Sequence, residues 1–164
     1  MQDRSYLSRR LRSYRKRGII QRPGPSRKES LGHLEKAGHN LDFVQDNIPL
    51  GYLDWCVAGI YYALYHAALA LLASRGYRSK DHTATLCLLI KDFTRKDIRG
   101  DDLELLDSLH LSYSDLLTYT QVRKRRREAS YSTRYLFDID NIRELRNDSV
   151  RFIQKAKAIL ADAG

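Results

Sequence analysis

In 164 residues, 43% of them apolar and 30% charged, there is room for one domain with a real core and a short tail. Nine glycines and three prolines leave too little turn material for an all-β fold. The net charge of +9 is confined to one end: residues 1–28 carry ten Lys/Arg and one acid, whereas residues 29–164 carry nineteen of each sign. The chain is therefore read as a neutral body with a basic arm.

The arm has a pattern. Leu7, Leu11 and Tyr14 recur at helical spacing among Arg9, Arg10, Arg12, Arg15, Lys16 and Arg17, which allows a short basic amphipathic helix. Gln21-Arg-Pro-Gly-Pro25 then reads as a linker, so residues 1–25 are expected as arm and linker and residues 26–164 as the folded body. A flexible basic arm gains affinity for polyanions by releasing counterions. The same composition suits a solvated tail, a segment packed on a partner subunit or, less well, one lying on an anionic membrane. The first twenty residues lack an apolar stretch, so no secretory signal is expected.

Ser26-Arg-Lys-Glu29 is a capping-box pattern ahead of Leu31, Leu34, Ala37, Leu41 and Val44, and predicts a helix over about 27–46. Pro49 and Gly51 mark a break. A second helix follows over about 51–75, apolar on every side and ended by Gly76 at the C′ position. It is nearly long enough to span a bilayer, but His66 and three tyrosines sit at its centre, so a buried core helix is expected and no membrane association. Asp81 is placed to cap a third helix over about 82–93, and 94–100 reads as a loop. Asp101 and Asp102 open a long helix, with Leu103, Leu106, Leu109, Tyr113, Leu116 and Leu117 as its stripe, reaching about residue 128. Asp138 or Asp140 begins a last helix that buries Ile142, Leu145, Ser149, Phe152, Ile153, Ala156 and Leu160. The sum is an all-α, antiparallel four- to five-helix bundle with a basic N-terminal arm.

Cys56 and Cys87 lie in apolar helical runs with no Cys or His at ligand spacing, and read as reduced core thiols in a cytoplasmic protein. No metal or cofactor is expected. His66 reads as a satisfied core histidine and His82 as a capping or packing residue, while His33 and His39 stand six apart and do not share a helix face. The five consecutive cations Arg123, Lys124, Arg125, Arg126 and Arg127 exceed what a helix dipole needs, so they join the arm cations as candidate contacts to nucleic acid or an acidic partner.

Tyr61-Tyr-Ala-Leu-Tyr-His-Ala-Ala68, with Lys36-Ala37 and Asn40-Leu41 before it and Leu71-Leu-Ala-Ser-Arg-Gly76 and His82 after it, resembles the HEPN family over about residues 30–162. Arg127-Glu-Ala-Ser-Tyr131 is similar to a later family segment, with Ser130 where an acid is usual. The resemblance implies a helical bundle that forms a homodimer, often an RNA-cutting toxin or RNA-processing factor paired with a minimal nucleotidyltransferase in a toxin–antitoxin arrangement. It also implies metal-independent cleavage by an Arg and a His four to six residues beyond it. Arg146-Asn147 looks like the start of that motif, but Arg151 stands five residues on and no His follows His110. The expectation is an RNA- or polyanion-associated protein without the usual pair. A dimeric module docking a nucleotidyltransferase is the alternative, and a ribonuclease using Arg127, Tyr131 and Arg146 is the third.

Overall fold

The computed structural model describes residues 4–94, 98–125 and 138–162, with the side chains of residues 4, 115, 116 and 118–125 excepted. Helix α3 (Leu53–Ser74) is the axis of the molecule. Its mean composition is apolar on all sides, and the chain wraps it accordingly with α2 (Arg27–Asn47), α4 (His82–Phe93), α5 (Gly100–Arg125) and α6 (Ile139–Asp162). Ile60, Leu64, Leu71 and Leu72 of α3, Leu88 and Leu89 of α4, Leu106 and Leu109 of α5 and Ile142 and Phe152 of α6 form the dry centre. Burying a side chain of this size contributes roughly 1.5–3 kcal/mol. Helix α3 is long and apolar enough to cross a membrane, and 78% of that apolar window is buried inside the protein.

Helices α2 and α3 pack antiparallel and very closely. A Cβ on Gly59 would stand 2.7 Å from Val44 Cγ2, so only glycine permits this approach. At the other end of the pair, Ser30 Oγ donates to the Ala70 carbonyl at 2.9 Å. The capping box is half used. Ser26 Oγ accepts from the Glu29 N–H at 3.2 Å, but the Glu29 carboxylate turns away to Arg78, and the Ser26 N–H donates to the Ala73 carbonyl instead. Gly76 ends α3 in a Schellman turn, with Tyr77 N–H on Leu72 O at 2.9 Å and Gly76 N–H on Ala73 O at 3.1 Å. Its φ of +84° and the closeness of Gly24 and Pro25 both demand glycine.

The expected caps form elsewhere too. Asp81 accepts from Ala84 N–H at 2.8 Å, and Asp138, rather than Asp140, accepts from Asn141 N–H at 2.8 Å. Lys155 of α6 reaches Asp102 at the start of α5 at 2.6 Å. Helix bounds expected near 46, 75 and 93 are met within a residue or so. The expected end of α5 at 128 lies outside the described residues.

The arm takes the amphipathic helical form that the spacing of Leu7, Leu11 and Tyr14 allowed. Residues Arg4–Lys16 form α1, which lies on α4 of its own chain. Leu11, Tyr14 and Ile20 are each 5% exposed or less and belong to the core. The supposed linker is held as well. Ile20–Gln21 (β1) pairs antiparallel with Arg78–Ser79 (β2), and Gly24 N–H donates to Gly76 O at 3.4 Å. Of the forms its composition allowed, the arm takes that of an amphipathic helix, docked on its own chain. Its apolar stripe finds a matching surface on α4, and the strand pair removes the freedom that Pro23, Gly24 and Pro25 suggested. A two-residue strand is too short to show alternation, which is why the sequence did not announce it.

Candidate functional site

Docking of α1 sorts its cations. Leu7, Leu11 and Tyr14 face inward. Arg9, Arg12 and Lys16, spaced three and four apart, are exposed on the opposite face, with Arg15 and Arg17 exposed beside them. The helix contains no acidic residue among its thirteen. Arg10 is different. It is half-buried, its guanidinium donates to Tyr14 Oη and to Tyr6 Oη, and those two hydrogen bonds raise its pKa further. Of the arm residues expected to contact nucleic acid, Arg10 is therefore already engaged in holding the helix surface together.

More cations lie around the β1–β2 pair and the C-terminal end of α3. Arg17 lies over the Tyr14 ring at 5.1 Å, Arg22 over Tyr77 at 5.3 Å and Arg75 over Phe93 at 5.5 Å. Arg78 is bound to Glu29, which lowers that carboxyl's pKa. Stacking on ring faces fixes the direction of these side chains at little cost in solvation. The result is a pre-arranged basic surface on a rigid support.

The other expected site residues are placed differently. Arg126, Arg127 and Tyr131 lie outside the described residues. Arg123, Lys124 and Arg125 are in the last turn of α5, with side chains not described. Arg146 is half-buried on α6, and among the described residues its Nε has no hydrogen-bond partner, like Ser149 Oγ one turn on. Arg151, at the position where the family motif has its histidine, is exposed and paired with Asp148 on the same helix. An arginine so paired cannot take a proton from a ribose hydroxyl at neutral pH.

A cluster that sequence reasoning did not assemble joins α3, α4 and α5. His82 and His110 stack with centroids 3.8 Å apart and planes 8° from parallel. His82 Nε2 is 3.4 Å from Asp107 Oδ1, His110 Nδ1 is 3.2 Å from Tyr61 Oη, and Tyr62 and Tyr113 share a hydroxyl contact at 3.0 Å. Burial first, then the neighbouring His110, depresses His82 to a pKa of about 4, while burial raises that of Tyr61. His82 and Tyr61 therefore both stay neutral near pH 7. The cluster's sequence signals were two: the pairing of Asp107 with His110, and that of Tyr61 with Tyr65, each on a single helix face. A second histidine pair, His33 Nδ1 and His66 Nδ1 at 3.0 Å, links α2 to α3. Among the described residues no three His, Cys, Asp or Glu side chains gather as metal ligands would.

Comparison with known proteins supplies the relationship. A UPF0332 protein of Archaeoglobus fulgidus is 27% identical over 124 residues, covering 76% of this chain and 89% of that protein. The model of the HEPN domain matches residues 31–161, from α2 through α6, and leaves α1 outside the match. On that match, and on a fold built around the tyrosine-rich α3, the chain belongs to the HEPN domain family.

Proposed function

We propose that this HEPN protein binds RNA through the docked basic helix α1 and does not cut it with the family's Arg/His pair. The observation that supports this reading most is the arrangement of α1: Leu11 and Tyr14 are buried, while Arg9, Arg12 and Lys16 are aligned outward in a helix that has no acid. Three cations held at helical spacing lose little freedom when they meet phosphates, and each releases counterions. Arg151 in its ion pair with Asp148 supports the second half of the reading, because the proton-transfer group is missing at that position.

The test is fluorescence anisotropy of a labelled single-stranded RNA across a salt series, beside the triple variant Arg9→Ala/Arg12→Ala/Lys16→Ala. The parent should lose affinity steeply as salt rises. The variant should bind at least tenfold more weakly at low salt, with a slope in log Kd against log salt shallower by about 2 for three lost phosphate contacts on a single strand. Intact RNA after prolonged incubation completes the expectation. Affinity that ignores salt, or a variant that binds like the parent, would overturn the reading.

A second reading, a dimeric module that docks a nucleotidyltransferase, draws on the exposed aromatic and apolar residues Phe43 of α2, Leu50 and Tyr52 of the turn that follows, and Trp55 and Tyr62 of α3. Co-purification with such an enzyme, and no RNA binding, would favour it.

A further inference from the structure

The apolar stripe of α2 is not covered along its whole length. Ala37 and Val44 are fully buried, but Leu31 is 53% exposed. Between this N-terminal half of α2 and the C-terminal end of α6 runs an open groove of about 850 Å³. Its size is ordinary for a small-molecule site. Leu31 and Leu34 of α2 line it, with Leu160 and Ala161 of α6. Gly38 lines it too, in the middle of a helix where alanine is the better helix former. Unlike Gly59, it is not held to glycine by its neighbours: a Cβ there meets nothing within 4 Å. Packing within the fold therefore does not account for it, whereas the open groove does.

The lining also carries charge. Arg27 and Lys157 both belong to it, and neither makes an ion pair among the described residues. At 100° per residue Arg27, Leu31, Leu34 and Gly38 fall within a sector of about 60° on α2. Glu35, the acid of the lining, stands outside that sector, about 100° from Leu34. On α6, Lys157 precedes Leu160 and Ala161 by three and four residues and shares their face. Each side of the groove is thus a cation followed by aliphatic surface. From Arg27 to Gly38 the stripe measures about 16 Å along the helix axis. Among the described residues no aromatic side chain lines the groove, so a nucleobase would find nothing to stack on. An unbranched alkyl chain, in contrast, gains with every methylene it buries against the leucines, and a carboxylate gains charge-assisted hydrogen bonds from a guanidinium.

We propose that this groove binds a free fatty acid of medium chain length. The carboxylate meets Arg27, with Lys157 adding to the positive potential, and the tail runs past Leu31, Leu34 and Leu160 to Gly38. The side chain that Gly38 lacks leaves room for the end of the tail. The site lies on α2 and α6, apart from the cations of α1, and is independent of RNA binding.

The test is isothermal titration of the full chain with dodecanoate, kept below the concentration at which it forms micelles. The parent should bind dodecanoate saturably, one per chain, with a micromolar Kd. Decanoate should bind about tenfold more weakly, roughly threefold for each methylene removed. Dodecyltrimethylammonium, the same tail with the opposite charge, should bind weaker than dodecanoate by about tenfold or more. In Arg27→Gln/Lys157→Gln that preference for the anion should disappear while the dependence on tail length persists, a split that a folding defect would not give. Gly38→Leu should weaken dodecanoate by about tenfold or more while circular dichroism stays unchanged. The α1 variant Arg9→Ala/Arg12→Ala/Lys16→Ala should bind dodecanoate like the parent, so failure here and failure of the RNA reading are told apart. No saturable binding, equal affinity for the two head groups in the parent, a Gly38→Leu variant that binds like the parent, or loss of dodecanoate in the α1 variant would each overturn the proposal. So would co-sedimentation with phosphatidylglycerol vesicles that Gly38→Leu abolishes, in a chain that ignores free dodecanoate, because the groove would then serve a membrane surface.

Discussion

His82 shows how a single residue ties this fold to pH. It is 6% exposed at the first position of α4, stacked on His110 and near Tyr61 and Tyr65, with the carboxylates of Asp81 and Asp107 as the charged groups facing it. In the folded chain its pKa is about 4, and in the unfolded chain it is near the ordinary value of about 6.5. Between those limits the unfolded chain binds a proton that the folded chain refuses. Stability from this group is therefore complete above about pH 6.5, declines as pH falls towards 4, and changes no further below that. His66, also at about 4 through burial and the nearness of His33, acts in the same direction. The urea midpoint should fall between pH 7.5 and pH 5. In His82→Phe, which keeps a ring against His110 and has nothing to protonate, that fall should be smaller. An identical fall in parent and variant would show that His82 does not titrate as described. The sequence marked His82 as a packing residue, and it is one. It gave no sign of the stack, because His82 and His110 are brought together only by the path of α4 and α5.

At the scale of the element, α1 is the unexpected part. Its inward stripe of Leu7, Leu11 and Tyr14 was legible, and so were its cations. What was not legible is that the stripe is satisfied within the same chain, because the surface that receives it lies on α4, far along the sequence. The helices of the bundle were easier, because each carries its own stop and start: Ser26, Gly76, Asp81 and Asp138 act locally. Replacing Leu11, 4% exposed, with alanine tests the docking without touching a charge. Loss of a buried leucine costs roughly 2–5 kcal/mol, and this one lies near the edge of the core, so about 2 kcal/mol is expected. Its local effect should exceed its global one. Trypsin, offered the cations between Arg9 and Arg17, should cut the variant there well before the bundle, while the parent resists. RNA affinity should fall as well, because the same cations are no longer held in line. If Leu11→Ala is cut no faster than the parent, α1 is held mainly by the strand pair that follows it.

For the whole molecule, charge and fold are divided between two regions. The family match covers a body from α2 onward whose charges balance, and the excess of positive charge lies at α1 and the turn after it. A helix bearing that much like charge repels itself, and α1 remains docked because Leu11, Tyr14 and Ile20 are buried beneath it. A polyanion relieves the repulsion only when it meets the docked form, in which the cations share one face. Binding and folding are then linked, and the ligand stabilises the chain by RT ln(1 + [L]/Kd), about 2.7 kcal/mol when the ligand is at a hundred times its Kd. For a chain of this length that corresponds to a rise in Tm of roughly 5–10 °C. Differential scanning calorimetry with and without single-stranded RNA at low salt should show the rise. The rise should disappear in high salt, where counterions already screen α1. It should also be much reduced in Leu11→Ala, whose charges are all present but whose docking is weakened. Equal rises in the parent and in Leu11→Ala would mean that the cations act as an unstructured tail does, and that docking of α1 contributes nothing to the capture of the polyanion.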